Sequence, residues 1–169
     1  MLWQCDKLFF EAGGKPDGTQ ELIITAEGNR DYFDKVEELI ASAPKIKNWM
    51  FIAFIPPRDA SFQIDFEGVI LKPDEMWFLP LEHPDDESSI GIRVCIANYD
   101  LIKDEDYFLP AIYKAVDTIV GEKSFAMDID YIDASQLPDN PEEEGMIQLA
   151  ELPRYIAWRR IEYPKTTSD

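Results

Sequence analysis

The sequence predicts an α+β domain, a mixed and largely antiparallel sheet of about six or seven strands with two helices packed on one face. Three observations carry this. Within Asp31–Ala43 the apolar residues Phe33, Val36, Ile40 and Ala43 recur at helical spacing, with Asp34, Lys35, Glu37 and Glu38 between them. The run Trp49–Ile55 has no polar side chain, the pattern of a central strand covered on both faces. From Phe62 to Glu67 apolar and polar residues alternate, the period of a strand with one wet face.

Taken in order, the chain opens with Leu8, Phe9 and Phe10 before Gly13-Gly14-Lys15-Pro16-Asp17-Gly18, which is turn chemistry, and Leu22-Ile23-Ile24 follows. A hairpin is expected there. Gly28 and Asn29 then lead into the first helix, which Pro44 ends. A strand, a helix and a strand in succession place Leu22–Ala26 parallel to Trp49–Ile55, adjacent or one strand apart. Pro56-Pro57 stops that strand, and Phe62–Phe66, Val69–Leu71, Met76–Glu82 and Ile90–Ala97 read as an antiparallel meander.

A second helix is expected with its regular part from near Tyr107 or later, because Pro110 fits only its first turn, with acids at Asp104-Glu105-Asp106 and a glycine cap at Gly121. Ser124–Ile132 alternates Phe125, Met127, Ile129 and Tyr131 with other residues and reads as a half-wet strand. Asp31-Tyr32-Phe33 and Asp106-Tyr107-Phe108 echo one another, a three-residue match that chance accounts for. Met146–Trp158 is too apolar to dangle and packs back on the body. A single domain over residues 1–163 with a frayed tail at 164–169 is expected, since 169 residues hide enough surface for one core.

The charge is lopsided. Lys and Arg number 16 against 34 Asp and Glu, a net of −18, and half of it lies between Leu101 and Gly145. Net charge speaks first to solubility, and it also repels phosphate backbones and anionic lipid. Nucleic acid and membrane surfaces are therefore disfavoured partners, and a basic protein is the easier one. Cys5 and Cys95 form no metal-ligand spacing and read as reduced and buried. With no secretory pattern and no long apolar span, the cytoplasm is the simplest compartment.

Leu22-Ile23-Ile24-Thr25-Ala26-Glu27-Gly28-Asn29, Ala43-Pro44, Asn48-Trp49-Met50-Phe51-Ile52-Ala53-Phe54-Ile55-Pro56-Pro57 and Gly121-Glu122 together resemble a group of uncharacterised bacterial cytosolic proteins. The resemblance implies that setting and brings no activity, cofactor or functional residue.

The chemistry-bearing motifs are few. The chain has no phosphate loop, dinucleotide fingerprint or nucleophile elbow, and His83 is its one histidine, in the loop His83-Pro84-Asp85-Asp86-Glu87-Ser88. No catalytic residue, cofactor or metal is assigned. Asp128 and Asp130 would share a strand face about 7 Å apart, a possible cation site if Asp133 joined them, against the plainer reading of a solvated strand. Glu27 and Asn29 end a strand before a helix, where open sheets gather ligands, and Glu122 follows the second helix. Those two carboxylates could do acid/base work if brought together; a cap and two surface residues is the plainer account. Trp3, Trp77 and Trp158 are candidate anchors for a partner.

The expected function is an intracellular protein-binding, adaptor or inhibitor-like module with an acidic face. The other class is a small enzyme, or a small-molecule or metal-binding domain, with a carboxylate-lined pocket. The missing catalytic set favours the first. An unpaired edge strand or an exposed aromatic patch would add self-association.

Overall fold

The computed structural model describes residues 6–66, 68–97, 99, 102 and 105–165, with the backbone alone at 105–107. Expectations for Trp3, Cys5, the acidic opening of the second helix and residues 166–169 lie outside the described residues. The fold is mixed α and β, and the chain divides into two compact units, residues 1–56 with 121–127, and residues 57–120 with 128–169.

The first unit holds a three-stranded sheet ordered β1 (Phe9–Gly14), β2 (Gln20–Thr25), β3 (Trp49–Ala53). β1 and β2 form the expected hairpin. Gly14 has φ +126, and a side chain there would meet the Thr19 carbonyl at 2.6 Å, so the turn requires glycine. β2 and β3 are parallel and adjacent, joined through α1 (Phe33–Ala41). The helix buries Phe33 and Val36 against Ala26, Phe54 and Ala126, and the Phe33 and Phe54 rings lie 4.7 Å apart. Apolar burial of this kind supplies the stabilising energy at about 25 cal/mol per Å².

β3 is not the central strand that its composition predicts. Among the described residues it pairs only with β2, and Trp49 and Met50 are 42% and 45% exposed. A run of apolar residues reports a low cost of burial on either face, but the neighbours that would cover it are set elsewhere in the chain.

The second unit holds a four-stranded sheet ordered β8-β7-β6-β9 and the two-stranded ribbon of β4 (Ile64–Phe66) and β5 (Val69–Leu71). Its members are β6 (Trp77–Leu81), β7 (Ile90–Ile96), β8 (Ile129–Gln136) and β9 (Ile147–Gln148). β6 tolerates Pro80 because β9 pairs only opposite Trp77 and Phe78, short of the proline. α2 (Glu105–Val120) packs on β8 and on α4 (Leu152–Glu162), so the last apolar stretch does return to the body. Phe78, Ile92, Ile112, Ile119, Leu149 and Ile156 are fully buried there.

The single sheet with two helices is thus corrected to three sheets of three, two and four strands with four helices among the described residues. Two local causes are visible. Pro110 lies inside α2, which begins at Glu105 and not near Tyr107. Gly121, at φ +80, ends α2 in a left-handed turn and a new helix, α3 (Glu122–Asp128), starts at once where a strand was expected. Phe125 and Met127 alternate like strand residues, yet the first of them donates its N–H to the Gly121 carbonyl at 2.9 Å in a helical turn.

Candidate functional site

Glu122, the first residue of α3, is 3% exposed and its carboxylate is committed to the backbone. Oε1 accepts the N–H groups of Ala26 and Gly28, each at 3.0 Å, and Oε2 accepts that of Ile55 at 3.0 Å. Those donors flank residues with left-handed backbone, Glu27 (φ 50), Gly28 (φ 78) and Phe54 (φ 68), where the sheet can no longer supply partners. Glu122 therefore fastens the ends of β2 and β3. Glu27 itself is exposed, and Asn29 accepts the Asp31 N–H at 3.2 Å, capping a short 3-10 turn. The chain brings Glu122 to the strand end that holds Glu27 and Asn29, with its oxygens occupied by three N–H groups.

The three aspartates of the possible cation site, Asp128, Asp130 and Asp133, are each met by a cation of the chain. Asp128 ends α3 and Asp130 lies in β8, so they do not share a strand face as the alternation suggested. Asp128 receives Arg160 as a two-pronged pair, with Nε to Oδ1 at 2.9 Å and Nη2 to Oδ2. Asp130 occupies a bulge between β7 and β8, where it accepts the Ile90 N–H at 3.0 Å and pairs with Lys165 at 2.9 Å. Asp133 forms a fork with Arg93 at 2.9 Å through both oxygens.

A further group of carboxylates lies in the loop between β6 and β7. That loop is tied by its own polar groups. Asp86 accepts the Ser88 N–H at 2.9 Å and its hydroxyl at 2.6 Å, and the Ser88 hydroxyl holds the Asp86 carboxyl below the usual range. His83 Nδ1 accepts the Asp85 N–H at 3.3 Å. Arg159 of α4 clamps the loop from below, donating through Nη2 to the carbonyls of Glu87 and Ser89 at 2.5 and 2.9 Å. Its guanidinium carbon lies 4.7 Å from the centre of the Tyr163 ring.

The result is a cleft of about 480 Å³ lined by Glu82, His83, Pro84, Glu87, Arg159 and Tyr163. Among the described residues neither Glu82 nor Glu87 has an ion-pair partner. Beside it runs a chain of aromatic contacts from the buried Phe78 to Tyr155 at 5.4 Å, to Trp158 at 5.8 Å, and on to Tyr163 at 6.1 Å. Trp158 is 48% exposed and lines a second hollow of about 260 Å³ with Ile147, Glu151, Arg154 and Tyr155.

No protein-family profile, curated protein or solved structure matches the chain.

Among the described residues no helix is long and apolar enough to cross a membrane. In the sequence the acidic loop and Trp158 are separate features. That α4 sets Arg159 under that loop, and Trp158 beside it, is a tertiary fact that no local pattern encodes.

Proposed function

We propose that the protein is a binding module that docks a basic partner protein on the face of its second unit formed by the β6–β7 loop and α4. The observation that carries this reading is the pairing of Glu82 and Glu87, which have no ion-pair partner among the described residues, with the exposed ring of Trp158 on α4. A partner's lysine or arginine meets the carboxylates while an apolar side chain meets Trp158 and Ile147, the combination that interface anchors use. Charge supports the same face. The first unit carries 7 basic and 10 acidic residues, a net of −3, and the second 9 and 24, a net of −15. Long-range attraction of a basic protein is thus directed at the second unit. The cytoplasm is the compartment in which we place this activity.

A second reading rests on the cleft volume, about 480 Å³, which lies within the usual size for a small-molecule site. The imidazole of His83 and the phenol of Tyr163 would then orient a polar ligand.

The test is retention of proteins from a lysate at low and high salt on three baits: the native chain, the double variant E82Q/E87Q, and W158A. A basic protein held at low salt, released at high salt, and lost by about tenfold or more from both variants is the expected result. Retention that is indifferent to the variants, or no basic protein retained at all, overturns the reading. Saturable binding of a metabolite that E82Q/E87Q abolishes would transfer the cleft to the second reading.

A further inference from the structure

Among the described residues the outer edge of β3 is unguarded. The Gln20 N–H donates to the Asn48 carbonyl at 2.7 Å, and the Phe54 N–H donates to the Ile24 carbonyl at 2.8 Å. Even-numbered residues of β3 therefore turn their backbone groups toward β2, and Trp49, Phe51 and Ala53 turn theirs away. Of these, the Trp49 N–H is taken by the Ile46 carbonyl at 3.2 Å. Beyond Phe54 the edge is closed, because Glu122 takes both the N–H and the carbonyl of Ile55. Among the described residues nothing pairs the edge between, and the strand carries no charge, proline or bulge of the kind that guards such edges.

We propose that this edge pairs with the β3 edge of a second copy of the chain, antiparallel, about a two-fold axis at Phe51. Parity selects that centre. Phe51 is one of the residues whose backbone faces outward, so two copies exchange N–H to carbonyl bonds between their Phe51 residues. In the same register the Ala53 N–H of each copy reaches the Trp49 carbonyl of the other. Side chains fit as well. Trp49 stands opposite Ala53, large against small, and Met50 opposite Ile52, both on apolar faces. The Trp49 and Phe51 rings of one copy already stack at 6.4 Å and 22°, and the two-fold brings four rings together.

Charge favours a second copy at this place over any other. Two chains of net −18 repel, yet the unit that carries β3 has a net of only −3, and Asn48–Pro57 contains no charged residue. A basic partner gains nothing from such a strand. Six strands would then run continuously through the dimer, three from each copy.

The experiment combines sedimentation with hydrogen exchange over a wide range of protein concentration. The expected result is a dimer whose formation slows exchange at the Phe51 and Ala53 amides, and which salt strengthens or leaves unchanged, since screening relieves repulsion. F51K sets like charges opposite one another and weakens the dimer by about tenfold or more. M50K, at a 45% exposed side chain, sets a charge against Ile52 of the other copy and also weakens the dimer, and serves if F51K does not fold. A monomer at millimolar concentration overturns the proposal, as does a dimer in which those two amides exchange unchanged. Protection of the same amides only when a foreign peptide is added would reassign the edge to that peptide.

Discussion

Ile55 and Glu122 hold each other through two hydrogen bonds: the Ile55 N–H donates to the Glu122 carboxylate at 3.0 Å, and the Glu122 N–H donates to the Ile55 carbonyl at 3.0 Å. The two residues are 67 positions apart. With the Ala26 and Gly28 donors added, one buried side chain satisfies three backbone groups at the ends of two strands. E122Q keeps the shape but turns an amide NH2 toward one set of donors. It should cost about 2–3 kcal/mol, and E122A more, because the donors then have no acceptor. Urea unfolding followed by circular dichroism measures this, and a loss under about 1 kcal/mol would mean that solvent or a shifted backbone replaces the carboxylate.

The Arg160–Asp128 fork joins an exposed guanidinium to a carboxylate whose side chain is 10% exposed. R160K keeps the charge and loses the fork, for an expected cost of about 0.5–1 kcal/mol. R160A should cost about 1–2 kcal/mol, a figure held down by the solvent that reaches the arginine. A double-mutant cycle with D128N isolates the pair. A coupling near zero would make the fork an incidental contact.

Asp130 performs two tasks that substitution separates. D130N retains an acceptor for the Ile90 N–H in the bulge and gives up the Lys165 ion pair, so it should cost under about 1 kcal/mol. D130A gives up both and should cost about 1–2 kcal/mol. Equal losses would show that the bulge does not depend on the side chain.

Alkaline conditions should weaken the fold. Burial pushes the Cys95 thiol up, opposed in part by the Ser135 hydroxyl 3.3 Å away, and burial likewise pushes the Tyr155 phenol up. Both groups ionise more readily in the unfolded chain, so the folded state holds more protons between the two values. Stability from these groups is complete below the ordinary thiol value of about 8.5 and declines as pH rises beyond it. Denaturation midpoints from pH 7 to 11 should fall, and C95A should flatten the first part of the decline. At neutral pH a thiol reagent should label Cys95 only at the rate of local opening.

Several elements were legible because their signal is local. Phe33, Val36 and Ile40 before Pro44 specify α1, and Gly13–Gly18 specifies the hairpin. The parallel placement of β2 and β3 follows from the helix between them. What escaped is non-local. Phe125 and Met127 carry a strand-like alternation, yet Gly121 takes a left-handed turn and Glu122 begins a helix whose carboxylate is needed by Ala26, Gly28 and Ile55. Glu82 and Trp158 are each visible as an acid in a loop and an aromatic in a helix, and the sequence holds no sign that they frame one face. The exposure of β3 belongs to the same class, because composition says what a strand tolerates and not what lies beside it.

The discontinuity of the first unit has a consequence for synthesis. When Pro56 leaves the ribosome, β1, β2, α1 and β3 are all present, but the carboxylate that closes their strand ends is still untranslated. At about 5–20 residues per second the intervening stretch takes several seconds, during which the Ala26, Gly28 and Ile55 amides depend on water and the ends of β2 and β3 are unfastened. A nascent chain stalled before Glu122 should therefore carry frayed ends on β2 and β3 in addition to the open β3 edge, and pair wrongly with its neighbours on a polysome more readily than one stalled well beyond Met127.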